Sequence, residues 1–495
     1  MGTLSLSLAT FMNVLDSSIA NVSLPSISGD LGVSISQGTW VITSFGVANA
    51  ISVPLTGWLT QRFGAVRLFT LSVILFVIAS TLCGLAPSIE LLIAFRVLQG
   101  CVAGPMIPLS QALLLSTYPP QKSGLALSMW SMTTLVAPVA GPLLGGYITD
   151  NWTWPWIFYI NIPVGIFAAF VTWSIYHKRE TPILKRPIDG VGLAMLVLWV
   201  GCLQVMLDKG KELDWFHSPT IVTLAVIVVI AFAVFVAWEL TDEHPVVDIR
   251  LFAGRNFAFG AATLSIAYGL FFGNVVLLPL WLQQYMGYTA TAAGMALAPV
   301  GILAIVLTPM VGRNVAKWDP RWMATGAFIL FSLVLWMRSN FTSETDFGTI
   351  LLPTLIQGGA MAFFFIPLTT LTLAGLPPQR SPAAAGLSNF VRITLGAMGT
   401  SIATTLWDNR ATMHHEHLVE QMGLNSTALT QAGLPTAGAY ASINRLVDVQ
   451  AFTKAADDIF IASAVTFLFL IFTIWFTKRP PKIAGGPSVD AGGAH

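Results

Sequence analysis

Charge is the scarcest property of this chain. Of its 495 residues only 9% are Asp, Glu, Lys or Arg, against about 25% in an average soluble domain, too few to cover a water-facing surface of this size. A formal net charge of +1 excludes the basic excess with which nucleic-acid binders neutralise phosphates. Cysteine is sparse too: Cys83, Cys101 and Cys202 all fall in apolar runs and make neither a disulfide framework nor a Cys-x-x-Cys motif. There is no G-x-x-x-x-G-K-[ST] phosphate loop and no polar stretch long enough for a nucleotide-binding domain, so ATP is not the expected energy source. What the chain does have is 55% hydrophobic residues, with 16 Trp and 31 Phe, the composition of a membrane protein with interfacial aromatic belts.

A crossing helix needs about 20 mostly apolar residues. Division at polar, charged and Pro-rich breaks gives fourteen candidate spans, from Leu4–Ile27 to Ile459–Phe476. Met1 leads almost directly into the first, with no basic region or small-residue cleavage site, so a span rather than a secretory signal is expected. Of 24 Lys and Arg, 16 fall in loops on the N-terminal side and six, Arg338 among them, in the opposite loops, while Arg96 and Arg392 lie within spans. Basic loops stay in the cytoplasm, so both termini are expected there.

The sequence repeats. Ile107–Ser123 reads IPLSQALLLSTYPPQKS and Ile366–Ser381 reads IPLTTLTLAGLPPQRS, with Gln99-Gly100 and Gln357-Gly358 upstream. Span 4 therefore matches span 12 in the same direction, which implies six spans per half and two extra between them. The expected fold is an all-α membrane protein in which two six-helix bundles form a parallel pseudo-two-fold repeat around two inserted helices. The domains expected are 1–177, the inserted pair in 178–255, a second bundle in 256–478 with an outer loop over 408–458, and a cytoplasmic tail over 479–495.

Asp16 is the only one of 23 acidic residues near the middle of a span. A carboxylate in hydrocarbon must face a cavity, bind a proton or pair with a cation, or else serve as a structural hydrogen-bonding group. Arg96 on span 4 sits some 8–9 Å below its helix end at about 1.5 Å per residue; it either reaches Asp16 or snorkels to the interface. Together they are the expected proton-coupling site. In span 5, Gly141, Pro142, Gly145 and Gly146 permit close helix approach and a bend, and on physical grounds alone describe packing. Asn13, Asn21, Gln99, Gln357, Asn389 and Arg392 either line a cavity or stabilise it. The Met413–His417 tract lacks His-Glu-x-x-His spacing and reads as a solvated loop face, so no metal site or enzyme is expected.

These motifs together resemble the fourteen-span drug:proton antiporter branch of the major facilitator superfamily. Leu15–Pro25 is similar to its span 1 signature, Arg96–Gly104 to its span 4 basic motif, GPLLGG at Gly141–Gly146 to its antiporter motif, and Trp152–Pro163 to a signature after span 5. In the superfamily the loop between spans 2 and 3 usually reads G-x-x-x-D-R-x-G-R-[RK]; here Gly57, Arg62, Gly64 and Arg67 are kept and Gln61 replaces the acid. The chain also resembles the EmrB-type subunits of the branch, with their long loop between spans 13 and 14. This resemblance implies an inner-membrane pump exporting hydrophobic toxic compounds (antibiotics, uncouplers, fatty acids), with protons as coupling ion and no other cofactor. It also implies an EmrA-like periplasmic adaptor and a TolC-like outer-membrane channel as partners. A proton-coupled importer of a small nutrient would share Asp16 but is not expected to carry the Gly141–Gly146 motif.

Overall fold

The computed structural model describes residues 1–184, 189–243, 245–315, 317–422 and 436–479. All regular structure among them is helical, as lipid demands of a chain whose backbone groups must be satisfied within each segment. The first half comprises α1 (Gly2–Asp30), α2 (Trp40–Ser52), α3 (Thr56–Phe63), α4 (Ala65–Gly84), α5 (Ile89–Ala103), α6 (Met106–Thr117), α7 (Pro120–Asn151) and α8 (Asn161–Tyr176). After α9 (Gly190–Lys209) and α10 (Pro219–Thr241) come α11 (Arg255–Gln284), α12 (Ala290–Leu297), α13 (Pro299–Asn314), α14 (Pro320–Arg338), α15 (Phe347–Leu373), α16 (Ser381–Met422) and α17 (Thr436–Trp475).

Proline sets several breaks, because it removes a backbone donor and clashes with the preceding turn. Pro54 separates α2 from α3, which meet at 64°. Pro105 and Pro299 stand where α5 passes into α6 and α12 into α13. Ten helices among the described residues are long and apolar enough to cross a membrane, or eleven with the bent α2–α3 pair. Outside that set stand α1, α7 and α16, which are rich in Ser, Thr, Asn and Gly.

In the first half α1 packs along α7 and α8, α2 on α5, and α4 on α5 and α8; in the second α11 packs along α16 and α17, α13 on α15, and α14 on α15 and α17. Separate apolar cores hold each set, one around Phe69, Phe76 and Met106, the other around Phe328, Phe331 and Phe364. The inserted pair is different: α9 and α10 pair with each other, and α9 also touches α2 and α16. Between the halves α7 crosses α13, and α16 crosses α3 and α6.

Two expectations are corrected. The described residues of the segment 408–458 are helix rather than irregular loop: α16 continues to Met422 and α17 starts at Thr436, so these residues extend spans 13 and 14. Polarity had marked it as a loop, yet nothing from Thr400 to Met422 is Gly or Pro, and the residues there are compatible with helix. Within it, His414 Nε2 lies 2.9 Å from Asp458 and His415 Nε2 3.2 Å from Asn444, so these two side chains bridge the extensions, while Glu416 and His417 are exposed. Nor is Arg338 a loop residue; it ends α14 with only 1% of its surface exposed.

Candidate functional site

Asp16 lies in the interior of α1, and both it and Arg96 on α5 are fully enclosed, their side chains 0% exposed. Arg96 Nη1 donates to Asp16 Oδ2 at 2.5 Å. The other carboxylate oxygen accepts from Gln99 Nε2 at 3.0 Å and Asn161 Nδ2 at 2.9 Å. Arg96 in turn donates from Nε to the Val41 carbonyl at 2.9 Å and from Nη1 to Gln99 Oε1 at 2.8 Å, with its guanidinium 4.2 Å from the Phe45 ring centroid. Helices α1, α2, α5 and α8 thus converge on one ion pair. Ser80 on α4 closes the network, accepting from Asn161 at 3.0 Å and donating to the Phe158 carbonyl at 2.9 Å. Snorkelling is therefore not what Arg96 does. Such a pair compensates its desolvation only while every partner is in place; Nη2 of Arg96 has no hydrogen-bond partner among the described residues.

The small residues of α7 seat it beside this centre. A Cβ on Gly141 would come within 2.5 Å of Ser18 Cβ, and one on Gly145 within 2.9 Å of Ile19 Cγ1, whereas Gly146 has open space around it. Gly141 and Gly145 thus let α7 approach α1 two to three residues from Asp16. Pro142 lies inside α7 between them.

The loop motif is built around Gly64, whose φ of +86° favours glycine. The absent acid at Gln61 is not replaced locally. Instead Glu180, from the segment after α8, accepts from the Val66 and Arg67 amides at 3.0 and 2.9 Å and caps α4. Gly57 abuts Ala383 of α16 in the other half, while Arg62 and Arg67 are exposed. Gln61 offers its carbonyl to the Leu184 amide at 2.7 Å.

Of the polar candidates, Asn13 donates to the Ala103 carbonyl at 3.1 Å and ties α1 to α5, while Asn21 is exposed. Gln357 accepts from Arg338 Nη2 at 2.6 Å. Asn389 donates to Gln111 Oε1 at 2.8 Å across the seam between the halves, and accepts from Arg392 Nη2 at 2.6 Å. The Arg392 guanidinium faces the rings of Tyr268 and Phe365, with centroids 4.8 and 5.7 Å away, and its Nε has no partner among the described residues.

Four residues escaped sequence reasoning: Asn161, Arg338, Gln111 and Glu180. For Asn161 the signal was present, an amide inside the apolar run FYINIP; for Glu180 there was none, because its partners are more than 110 residues away.

A polytopic helical bundle in two packed halves, with a buried ion pair in the first, is the architecture of a secondary transporter. The chain belongs to the Major Facilitator Superfamily, whose sequence pattern matches residues 6–400. It is 52% identical to the multidrug export protein EmrB of Escherichia coli over 501 aligned positions, covering 100% of this chain and 97% of that one. To the fatty acid resistance protein FarB of Neisseria gonorrhoeae it is 47% identical, over 98% and 97% of the two chains. Among solved structures, the human organic anion transporter MFSD10 (TETRAN) shares the fold with a TM-score of 0.64 at 13% identity, over 96% of this chain and 98% of that one.

Proposed function

We propose that this protein is a multidrug efflux transporter, not an enzyme, that exports hydrophobic toxic compounds by proton antiport with alternating access. The observation that carries the reading is the Asp16–Arg96 pair at 2.5 Å, enclosed in a chain of this family. The names of the relatives, multidrug export and fatty acid resistance, support the substrate class.

The proton competes with the arginine for one atom. Oδ1 of Asp16 keeps its amide donors in either protonation state, whereas a proton on Oδ2 takes the lone-pair position that Arg96 Nη1 occupies. Protonation from outside loosens α5 from α1, and release to the cytoplasm restores the pair. Since α1 rests on Gly141 and Gly145 of α7, and α7 crosses onto α13, the change at Asp16 reaches the other half through one helix. Each proton brings about 2.3 kcal/mol per 100 mV. Arg392, cationic and faced by two rings at the seam, is the group we assign to anionic substrates; Gln357, Asn389, Asn13 and Asn21 complete or brace the path.

The architecture that goes with this reading has fourteen spans, with α1, α7 and α16 crossing as well. Its two six-helix bundles, 1–177 and 256–478, are related by a pseudo-two-fold axis, with 178–255 inserted and 479–495 as a tail that lies outside the described residues from 480 on. The recurrence of the same pairings eight spans apart supports it. The chain sits in the bacterial inner membrane with both termini cytoplasmic, works with an EmrA-like adaptor and a TolC-like channel, and uses protons without another cofactor.

The test is drug-dependent proton movement in proteoliposomes under an imposed pH gradient. A lipophilic substrate should discharge the gradient through wild type and not through Asp16→Asn. Equal discharge by both would remove Asp16 from the coupling site.

A further inference from the structure

A second feature lies outside the ion-pair centre, on the outer surface of the first half. A groove of about 760 Å³ runs between α4 and α8. Arg67, Leu71 and Ile74 line it from α4 and Ile166, Phe170 and Trp173 from α8, both sets at i, i+4, i+7 and so each on one helix face. All six are exposed, Phe170 by 71%. The groove is apolar along its length and basic at one end only, where Arg62 joins Arg67. From Arg67 to Ile74 it extends about 10 Å along α4, well within one leaflet of a hydrocarbon core about 30 Å thick.

Its basic end is weakly neutralised. Arg62 has no carboxylate within ion-pair distance among the described residues, and Arg67 has only Glu180, at 4.0 Å. Both oxygens of Glu180 are already held by the amides of Val66, Arg67 and Thr181 at 2.9–3.0 Å. Two guanidinium groups at the mouth of a lipid-facing apolar groove match an amphiphile with an anionic phosphate head. Trp173 on the same face is a residue type that settles at headgroup level. We infer that this groove holds one anionic phospholipid of the leaflet on the basic face of the protein, with the phosphate on Arg62 and Arg67 and an acyl chain along α4 and α8. None of these residues belongs to the Asp16 network, so the inference does not depend on proton coupling.

The test is native mass spectrometry of the full chain, released from mild detergent after titration with phosphatidylglycerol, phosphatidylcholine or inorganic phosphate. Wild type should retain one phosphatidylglycerol with roughly thirtyfold preference over phosphatidylcholine, the scale expected from two basic residues beside a net anionic headgroup. Arg62→Gln/Arg67→Gln should lose that preference and Arg62→Lys/Arg67→Lys keep most of it. The wild-type comparison stands alone if the Gln variant does not fold: equal retention of the two lipids would reduce the groove to ordinary bilayer contact. Inorganic phosphate binding as well as the lipid would show that the apolar groove contributes nothing. Displacement of phosphatidylglycerol by an equal concentration of fatty acid would assign the groove to substrate. Each of these three results overturns the inference.

Discussion

Arg96 in the first half and Arg338 in the second are buried alike, and each is bonded to a glutamine that the repeat places in register, Gln99 and Gln357. Only Arg96 meets a carboxylate. Arg338 has Gln357 and, at 3.3 Å, the Thr354 hydroxyl, while Arg392 has Asn389 and two aromatic faces. The halves share a scaffold and divide the chemistry. The first buries its arginine against a carboxylate; the second buries two arginines that meet no acid within ion-pair distance among the described residues.

The largest expected effect follows from separating the members of that pair. Arg96→Met leaves Asp16 buried with two amide donors and no cation, which should destabilise by about 3–5 kcal/mol. Asp16→Asn/Arg96→Met should recover most of that loss in thermal unfolding, yet show no substrate-driven proton flux. Recovery of both stability and flux would make the pair structural. In the second half, Arg338→Met removes a cation with no counter-charge in contact and should cost about 1.5–3 kcal/mol, the scale of a hydrogen bond from a charged group to Gln357. A loss as large as that for Arg96→Met would mean the halves are not chemically different.

Next in size is the seam between α1 and α7. Gly141→Val would drive a branched side chain into Ser18, and overpacking of this kind destabilises by about 1–3 kcal/mol. Gly146→Val, in open space, should fall within about 0.5 kcal/mol of wild type. Equal thermal shifts in the two variants would detach the motif from the approach of α7 to Asp16. Smaller again, Arg392→Gln should lower export of a carboxylate-bearing substrate about tenfold, or about 1.4 kcal/mol, and leave a neutral substrate unaffected in the same vesicles. Equal losses for both substrates would make Arg392 a bracing residue.

The all-helical, membrane-crossing character was legible in the sequence because hydropathy is a local property. So was the Asp16–Arg96 pair, since depth along two helices is simple arithmetic and a lone interior acid has few partners to choose from. Arg338 was misplaced because polar Ser339 and Asn340 follow it, and composition does not mark where a helix turns its last residue inward. The 408–458 segment was misread because polarity was taken for irregularity, although helix continues through much of it. Gln61 had marked a departure from the family pattern. What the sequence does not show is that a carboxylate still stands at the start of α4, brought there from after α8.

That last point gives the smallest and most local contrast between the halves. At the start of α4 the cap residue is Gly64 and the carboxylate comes from Glu180; at the start of α14 the cap residue is Asp319 itself, which accepts from the Arg321 amide at 3.1 Å. Burial alone would raise the Asp319 pKa, but hydrogen bonds from Arg321 and the charges of Arg321 and Arg479 outweigh it and hold the group below its ordinary 3.8. A carboxylate with a depressed folded-state pKa adds stability that is fully present above the unfolded value and is lost as pH falls through the folded one. Asp319→Ala should therefore cost about 1 kcal/mol, constant from pH 5 to 8, with the gap from wild type closing only below about pH 4. Thermal unfolding across that range measures it. A gap that closes between pH 5 and 7 would place the titrating group elsewhere and leave Asp319 as a cap without an ionic contribution.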